Sequence, residues 1–464
     1  MLDTSPEEIT DGSLLRALLL LAAPLIAQNL TQVVQQLVDV FWVGRLGAEA
    51  VAAVGLVFPV VSVLAVLVAL TPHVATQVLV SQRVGAGAEA EARVVAVHGV
   101  GLGVLVGVVV AAAAHVAAGP IVSLFGADPT VQRLAESYLS TWVFLLPFAG
   151  ASDALEGAFT GTGDSRAALY VTLVTVGVNV VLDPVLVLGL WAVEPMGVRG
   201  AAAATVLGYA SGLLLATALA LGSRESLSLS AGDLRFDPDL VAEAVAVGGP
   251  LTAQRLAQDA VGLLLVGVVS AVGGTAALAA YTVGGRVASV ATIPASGLQQ
   301  ATQSVVGQNL GAEQPARANR ATWLGVGVAV VALAAVGAGQ LLVPASLVRL
   351  FVPDAGGAAL SLAVVYLQIL AYGYWAIGAA YLFQAGFNAA GRTRASLAVS
   401  LFQYWGVRVP VATVGAYLLG LDAVGVFWAV TVSNVVAALV AGGYYSYRSD
   451  RGLHRQAAAA VGGD

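Results

Sequence analysis

The chain has no cysteine, which excludes disulfides, thiolate nucleophiles and cysteine-ligated zinc. It has no lysine either, so all 20 basic residues are arginine. Charge is scarce: 10% of the 464 residues are charged, where an average soluble domain carries about 25%. That excludes an ordinary soluble enzyme. The 59% hydrophobic content excludes a disordered chain, which needs low hydrophobicity and high charge. Only four histidines are present, His73, His98, His115 and His454, and none is spaced with an acid or a second histidine as a metal site requires. A net charge of -6 argues against a nucleic-acid partner, which needs a basic face. No GxxxxGK motif is present, and Gly99, Gly101 and Gly103 follow no strand, so they read as helix-packing glycines and not as a nucleotide loop.

What is abundant is apolar sequence, with a mean hydropathy of +0.89. A membrane-spanning helix needs roughly 20 apolar residues. Apolar runs between charged or Gly/Pro breaks predict twelve such helices, over 16–43, 51–80, 94–117, 132–159, 167–190, 197–222, 240–270, 276–306, 321–343, 360–387, 396–419 and 422–446. The runs are too long for barrel strands and do not alternate in polarity. Met1 to Ser13 is polar and acidic and lacks the basic start of a secretory signal peptide, so the first apolar run reads as a retained span. Twelve spans put both termini on one side. With the termini cytoplasmic, thirteen arginines flank the cytoplasmic ends, against Arg45, Arg133, Arg199 and Arg349 on the opposite side. The bias follows the positive-inside rule. The expectation is a multi-pass protein of the cell membrane with both termini cytoplasmic.

The chain repeats itself at a shift of 226 to 228 residues. Pro24-Leu25 aligns with Pro250-Leu251, Gln28 with Gln254, Tyr138 with Tyr366, Gly163 to Arg166 with Gly391 to Arg394, and Gly197-Val198 with Gly425-Val426. The matches involve rarer residues and keep their order. They predict an all-α polytopic membrane protein in two six-helix lobes, 1–222 and 240–464, joined by a cytoplasmic linker over 223–239. Six is even, so the lobes insert in the same orientation as a parallel repeat, with the substrate site expected between them.

Five acids are candidates for a role inside the membrane: Asp39, Asp153, Glu156, Asp183 and Asp259. A carboxylate at the centre of a span costs roughly 2.5–3.5 kcal/mol on insertion scales, and such residues mark ion or proton pathways. Gln28, Gln32, Gln35 and Asp39 are spaced 4, 3 and 4 apart, on one helix face. That stripe either hydrogen-bonds neighbouring helices or serves the carboxylate at its end. Asn179 and Asp183 share a face at i, i+4, and Pro184 follows. Proline cannot bond the Val180 carbonyl, so a kink is expected there. A freed carbonyl, an amide oxygen and a carboxylate suit a hard cation such as Na⁺, or the acid could carry a proton. A structural kink with one tolerated acid is the bland alternative. The repeat partner of Asp39 is Leu265, and that of Asp183 is Val411 or Val409. Acids needed only to build a six-helix bundle would be needed twice, so their confinement to one half argues for function. In the second half Asp259 follows Arg255 at i, i+4, a spacing that favours a local ion pair. Asp153 and Glu156 lie near the cytoplasmic end of the fourth span, where they could simply line its mouth. Arg286 and Arg408 have no local partner in sequence. Pro24, in the inner half of the first span, is a plausible bending point and hinge.

The stretches Leu37–Pro59, Ala154–Tyr170, Val178–Thr205, Ala280–Glu313 and Gly420–Asn434 resemble the multidrug and toxic compound extrusion (MATE) transporters, over nearly the whole chain. The carboxylate pattern is similar to that of the archaeal and DNA-damage-inducible branch. The resemblance implies that Asp39 and Asp183 sit together in the N-terminal lobe within a cation-coupling network. It places Gln32, Tyr138, Asn179 and Thr205 at the matching polar positions. Glu156 falls where the resemblance implies an uncharged residue, which leaves its role open. Asp259 falls one residue away from a helix-seven acid of some relatives.

The function expected is a secondary antiporter that exports organic, often cationic, compounds in exchange for H⁺ or Na⁺, by alternating access between the lobes. Na⁺, if it is the ion, would bind at Asp39, Asn179 and Asp183. The alternative is a flippase for a lipid-linked or anionic substrate, to which Arg255, Arg286 and Arg408 lend support. No nucleophile–base pair or metal cluster lies in the spans, so no enzyme activity is expected, and no cofactor beyond the coupling ion. The expected partners are small organic substrates and the lipid bilayer, with no nucleic acid, and the expected assembly is a monomer.

Overall fold

The computed structural model describes residues 6–191, 193–222, 226–351 and 356–461. Every regular element among these residues is helical. Twelve spans follow in order: Leu14–Gly44, Ala48–Gly85, Glu89–Ser123, 129–162, Ser165–Leu188, Val198–Leu221, 238–273, 275–311, Pro315–Leu342, 357–389, 393–418 and Asp422–Asp450. Their ends lie at most six residues from those expected. Short helices at Pro6–Thr10, Pro344–Phe351 and Leu453–Val461 were not anticipated by the apolar pattern.

Eight helices are by themselves long and apolar enough to cross a membrane. One of them, Pro238–Gly311, is the seventh and eighth spans joined across Gly274. Its φ of 61° lies in the left-handed region, which glycine adopts without a Cβ clash. The tenth span bends by 48° between Gly357–Ala371 and Tyr374–Ala389. The fourth is interrupted by a 3₁₀ turn at Val143–Leu145, because Pro147 has no N–H for the Val143 carbonyl. A shift of 228 carries that interruption onto 371–373, the bend of the tenth, so the breaks obey the repeat. The fifth and eleventh spans do not match in this way. The fifth continues through Pro184 as one α-helix. The eleventh takes wide π turns on both sides of Pro410, at Phe402–Arg408 and Val414–Leu418. π turns occur mostly as local insertions at functional sites.

Contacts divide the chain into two compact units. One contains Ala23–Thr252, and the other contains Glu7–Ala22 and Ala253–Asp464. The linker expected over 223–239 therefore folds with the first unit, as do the first turns of the seventh span; residues 223–225, including Arg224, lie outside the described residues. Its anchors are specific. Asp233 accepts from the Ser230 N–H and hydroxyl at 2.7 and 2.9 Å and from Arg93 Nε at 3.3 Å. The Asp237 N–H donates to His98 Nε2 at 2.8 Å. Arg83 pairs with Glu243 at 2.8 Å. The first span passes through Pro24, the expected hinge, as one helix. Apart from the change after Pro6, the points where the chain changes unit lie within three residues of Pro24 and of Pro250.

Within the first unit the third and fourth spans meet at Gly103 and Gly150, where a Cβ on either would enter the other's backbone. Between lipid-immersed helices association comes from such close packing and from polar contacts, since lipid tails are as apolar as leucine. Large apolar side chains stay on the outside, with Val116 81% and Leu214 73% exposed. The second unit packs around aromatic rings. Tyr366 stacks on Tyr281 and on Phe427, with ring centroids 5.3 and 4.3 Å apart.

Candidate functional site

The first, fifth and sixth spans bring polar groups together in the first unit. Gly208 of the sixth span faces the fifth so closely that a Cβ would lie 2.6 Å from the Thr175 carbonyl. That approach sets Thr205, one turn earlier, beside Asn179. An amide opposite a carboxylate must present its nitrogen, and in that orientation Asn179 donates to Asp39 Oδ1 at 2.9 Å. Its oxygen accepts from the Thr205 N–H at 3.3 Å. Thr205 is fixed in turn by its hydroxyl, which donates to the Ala201 carbonyl at 3.0 Å. Asp39 and Asp183 are side-chain neighbours, and the Tyr138 phenol is within electrostatic reach of both.

Asp183 is fully buried, and apart from the Asp39 carboxyl, which is within hydrogen-bonding reach, no described residue offers its oxygens a donor. A buried carboxylate without donors is expensive unless something else neutralises it. Two carboxyl groups lie side by side only with a shared proton or a cation between them. The residues present fit such a cation: two carboxylates and an amide that fixes one of them are the oxygen-rich surroundings that a hard ion takes.

Five expected site residues are thus assembled here: Asp39, Asp183, Asn179, Tyr138 and Thr205. Gln32 is not among them, being exposed and sharing no hydrogen bond with the cluster. The polar stripe of the first span shares a face but not a neighbourhood, since Gln28 and Gln35 are buried.

Glu156 occupies a separate nest. Gln28 of the first span, Ser152 of the fourth and Thr172 of the fifth all donate to its carboxylate, the last two at 3.3 and 3.2 Å. Asp153 lies beside it, and His73 Nδ1 bonds the Asp153 carbonyl oxygen at 2.9 Å. The contrast with Asp183 is plain: one buried carboxylate is supplied with donors from three spans and the other has none beyond the Asp39 carboxyl. Tyr209 had escaped the sequence reading. Its phenol lies within electrostatic reach of Asp153, Glu156 and Asp39. Nothing in its spacing marks it, because it comes from a span with no acid of its own. Asp259 is paired locally with Arg255 at 3.3 Å.

Residues 24–185 and 250–414 match the family model MatE. The two matches begin at Pro24 and Pro250, the prolines that open the repeat, and together cover more than half of the chain. The chain belongs to the MATE family. It is 29% identical to a probable multidrug resistance protein, YoeA, of Bacillus subtilis (strain 168), over 94% of both chains. It is 24% identical to an FAD transporter of Shewanella oneidensis, over 91% of this chain and 92% of that one. Its structure is similar to a crystal structure of MATE in complex with MaL6, with a TM-score of 0.90 at 25% identity, covering 97% of this chain and 99% of the other. The protein is therefore a multi-pass membrane transporter of a multidrug efflux family, built as two repeated halves, and not an enzyme.

Proposed function

We propose that this MATE protein is a secondary antiporter of the cell membrane that exports small organic, often cationic, compounds in exchange for H⁺ or Na⁺, with both termini cytoplasmic. The observation that carries the reading is Asp183, a buried carboxylate with no donor beyond the Asp39 carboxyl it is set against. Such a pair is stable with a proton or Na⁺ and unstable without it. Asn179 orients Asp39, Thr205 orients Asn179, and the Tyr138 phenol lies near both acids. A bound ion drives transport only if it binds the two conformations with different affinity. A site made from the first, fifth and sixth spans changes its affinity whenever the first span moves against the other two. Substrate export then follows because the ion and the substrate favour different conformations.

The test uses purified protein in liposomes loaded with tetraphenylphosphonium. A pH gradient and a Na⁺ gradient are imposed separately. One of them drives efflux in the wild type, which identifies the coupling ion, and Asp39→Asn abolishes the response. Unchanged export by Asp39→Asn removes the mechanism. Lipid translocation without export would replace it with a flippase.

A further inference from the structure

The second unit carries its own unbalanced charge. Arg408 lies near the middle of the eleventh span, in the π-helical segment Phe402–Arg408. Among the described residues no carboxylate pairs with it. An intramembrane cation without a counter-ion marks a functional site by default.

The guanidinium is held rigidly. Its Nε donates to Ser433 Oγ at 2.8 Å and its Nη2 to Asn434 Oδ1 at 2.6 Å. Asn434 is steadied by Gln403 at 2.8 Å. The Tyr404 ring lies under the guanidinium carbon at 4.2 Å. Of the five N–H groups of an arginine, these bonds take Nε and one on Nη2. The Nη1/Nη2 edge has no hydrogen-bond partner among the described residues, and the residue is only partly buried. The phenols of Tyr281 and Tyr381 lie within electrostatic reach of the same group, in one apolar cluster with Tyr404.

The repeat supplies an independent reason. Ser433 stands 228 residues after Thr205, the shift that relates Gly197-Val198 to Gly425-Val426. Each unit therefore ties its fifth helix to the same point of its sixth, Asn179 by Thr205 in the first and, one residue beyond the position that matches Asn179, Arg408 by Ser433 in the second. What the first unit presents there is acidic, and what the second presents is basic.

We propose that the second unit binds a planar aromatic carboxylate, with the carboxylate on the Nη1/Nη2 edge of Arg408 and the ring against Tyr381. A forked guanidinium edge matches the two oxygens of a carboxylate. One positive charge matches one negative charge, and Arg255 adds none because Asp259 neutralises it. Tyr281 already stacks on Tyr366 and Phe427 and Tyr404 lies under the guanidinium, so Tyr381 is the ring that offers a stacking face to an aromatic acid. Binding is read on purified protein without any gradient, so the inference stands apart from the coupling mechanism.

The test is equilibrium dialysis of the full chain in detergent at pH 7.5 with 2-naphthoate and with 2-naphthamide, which keeps the ring and loses the charge. Wild type binds 2-naphthoate saturably, and about tenfold more tightly than the amide. In Arg408→Gln the two affinities converge on that of the amide. Arg408→Lys, which keeps the charge but cannot fork, loses part of the naphthoate affinity and serves if the glutamine variant fails to fold. Equal binding of the two probes by wild type, no saturable naphthoate binding, or unchanged naphthoate affinity in either variant overturns the proposal.

Discussion

The contact between the fifth and sixth spans and the contact between the eleventh and twelfth occupy the same place in the repeat, yet they hold opposite charges. In the first unit an α-helix passes through Pro184 and presents Asn179 and Asp183 to Thr205 and Asp39. In the second, π turns flank Pro410 and present Arg408 to Ser433 and Asn434. The scaffold was duplicated and its chemistry was not. Groups that only build a bundle recur in both halves: the opening prolines, the interruption of the fourth and tenth spans, and the close approach of Gly150 to Gly103, matched by that of Gly378 to Ala329. Groups that cannot be justified by packing occur once. Asp183 is the clearest of these, because a bundle gains nothing from a buried carboxylate with no donor beyond a second carboxyl.

The sharpest way to break this comparison is to neutralise one carboxylate from each acid pair of the first unit. Asp183→Asn is expected to reduce gradient-driven export by about a hundredfold, the upper range of coupling between two sites, with thermal stability unchanged or raised. Glu156→Gln is expected to retain export. Its remaining oxygen can still accept from Gln28 and Thr172 and its new amide can donate to Ser152, so the stability loss should be about 1 kcal/mol or less. Equal loss of export in both variants would end the distinction between the two pairs.

Packing should respond alike in the two units. Gly150→Val would press on the Gly103 backbone, and Gly378→Val on the Ala329 backbone, the same contact after the shift. Each is expected to cost about 1–3 kcal/mol, as overpacking does, read as a lower unfolding midpoint. A large loss from one and none from the other would show that the helix contacts are not equivalent after all.

The smallest difference concerns the anchors outside the membrane. In the second unit His454 is buried against Tyr445 at 2.8 Å, and burial pushes its imidazole down to about 4. Its contribution is fully present above pH 6.5 and is lost as pH falls from there toward 4, at most about 2 kcal/mol by pH 5. In the first unit Asp233 is buried, which alone would raise its pKa, but Ser230 and Arg93 hold it below the usual carboxylate value. Its contribution is lost only below pH 3.8. Hydrogen exchange at pH 5 is therefore expected to rise in Leu453–Val461 and to stay unchanged around Ser230–Asp233. Equal rises in both would contradict this.

Much of the architecture was legible because long apolar runs leave little choice of structure in lipid. The span limits and the repeat followed from the sequence to within two turns. The pairing of Asp39 with Asp183 came from the family resemblance, and their singularity from comparing the halves. Gln32 shows where spacing runs out. Four polar residues on one face predict a common direction, but a helix meets different neighbours along its length, so Gln28 reached Glu156 while Gln32 bonds no side chain among the described residues. Glu156 could not be assigned from its own segment, since two of its three donors come from other spans. Arg408 looked unpartnered because its partners lie 25 and 26 residues further on, across a helix pair. The shift that matches Thr205 to Ser433 was the signal that could have found them.

The most direct test of the central claim asks whether substrate binding displaces a cation from the first unit. Purified protein in weakly buffered detergent solution is mixed with tetraphenylphosphonium while proton release and bound ²²Na⁺ are followed. Wild type is expected to release one of the two ions on binding, and Asp183→Asn to bind the substrate and release neither. Binding by wild type with no ion released, or equal release from Asp183→Asn, would contradict the assignment of Asp39 and Asp183 as the coupling site.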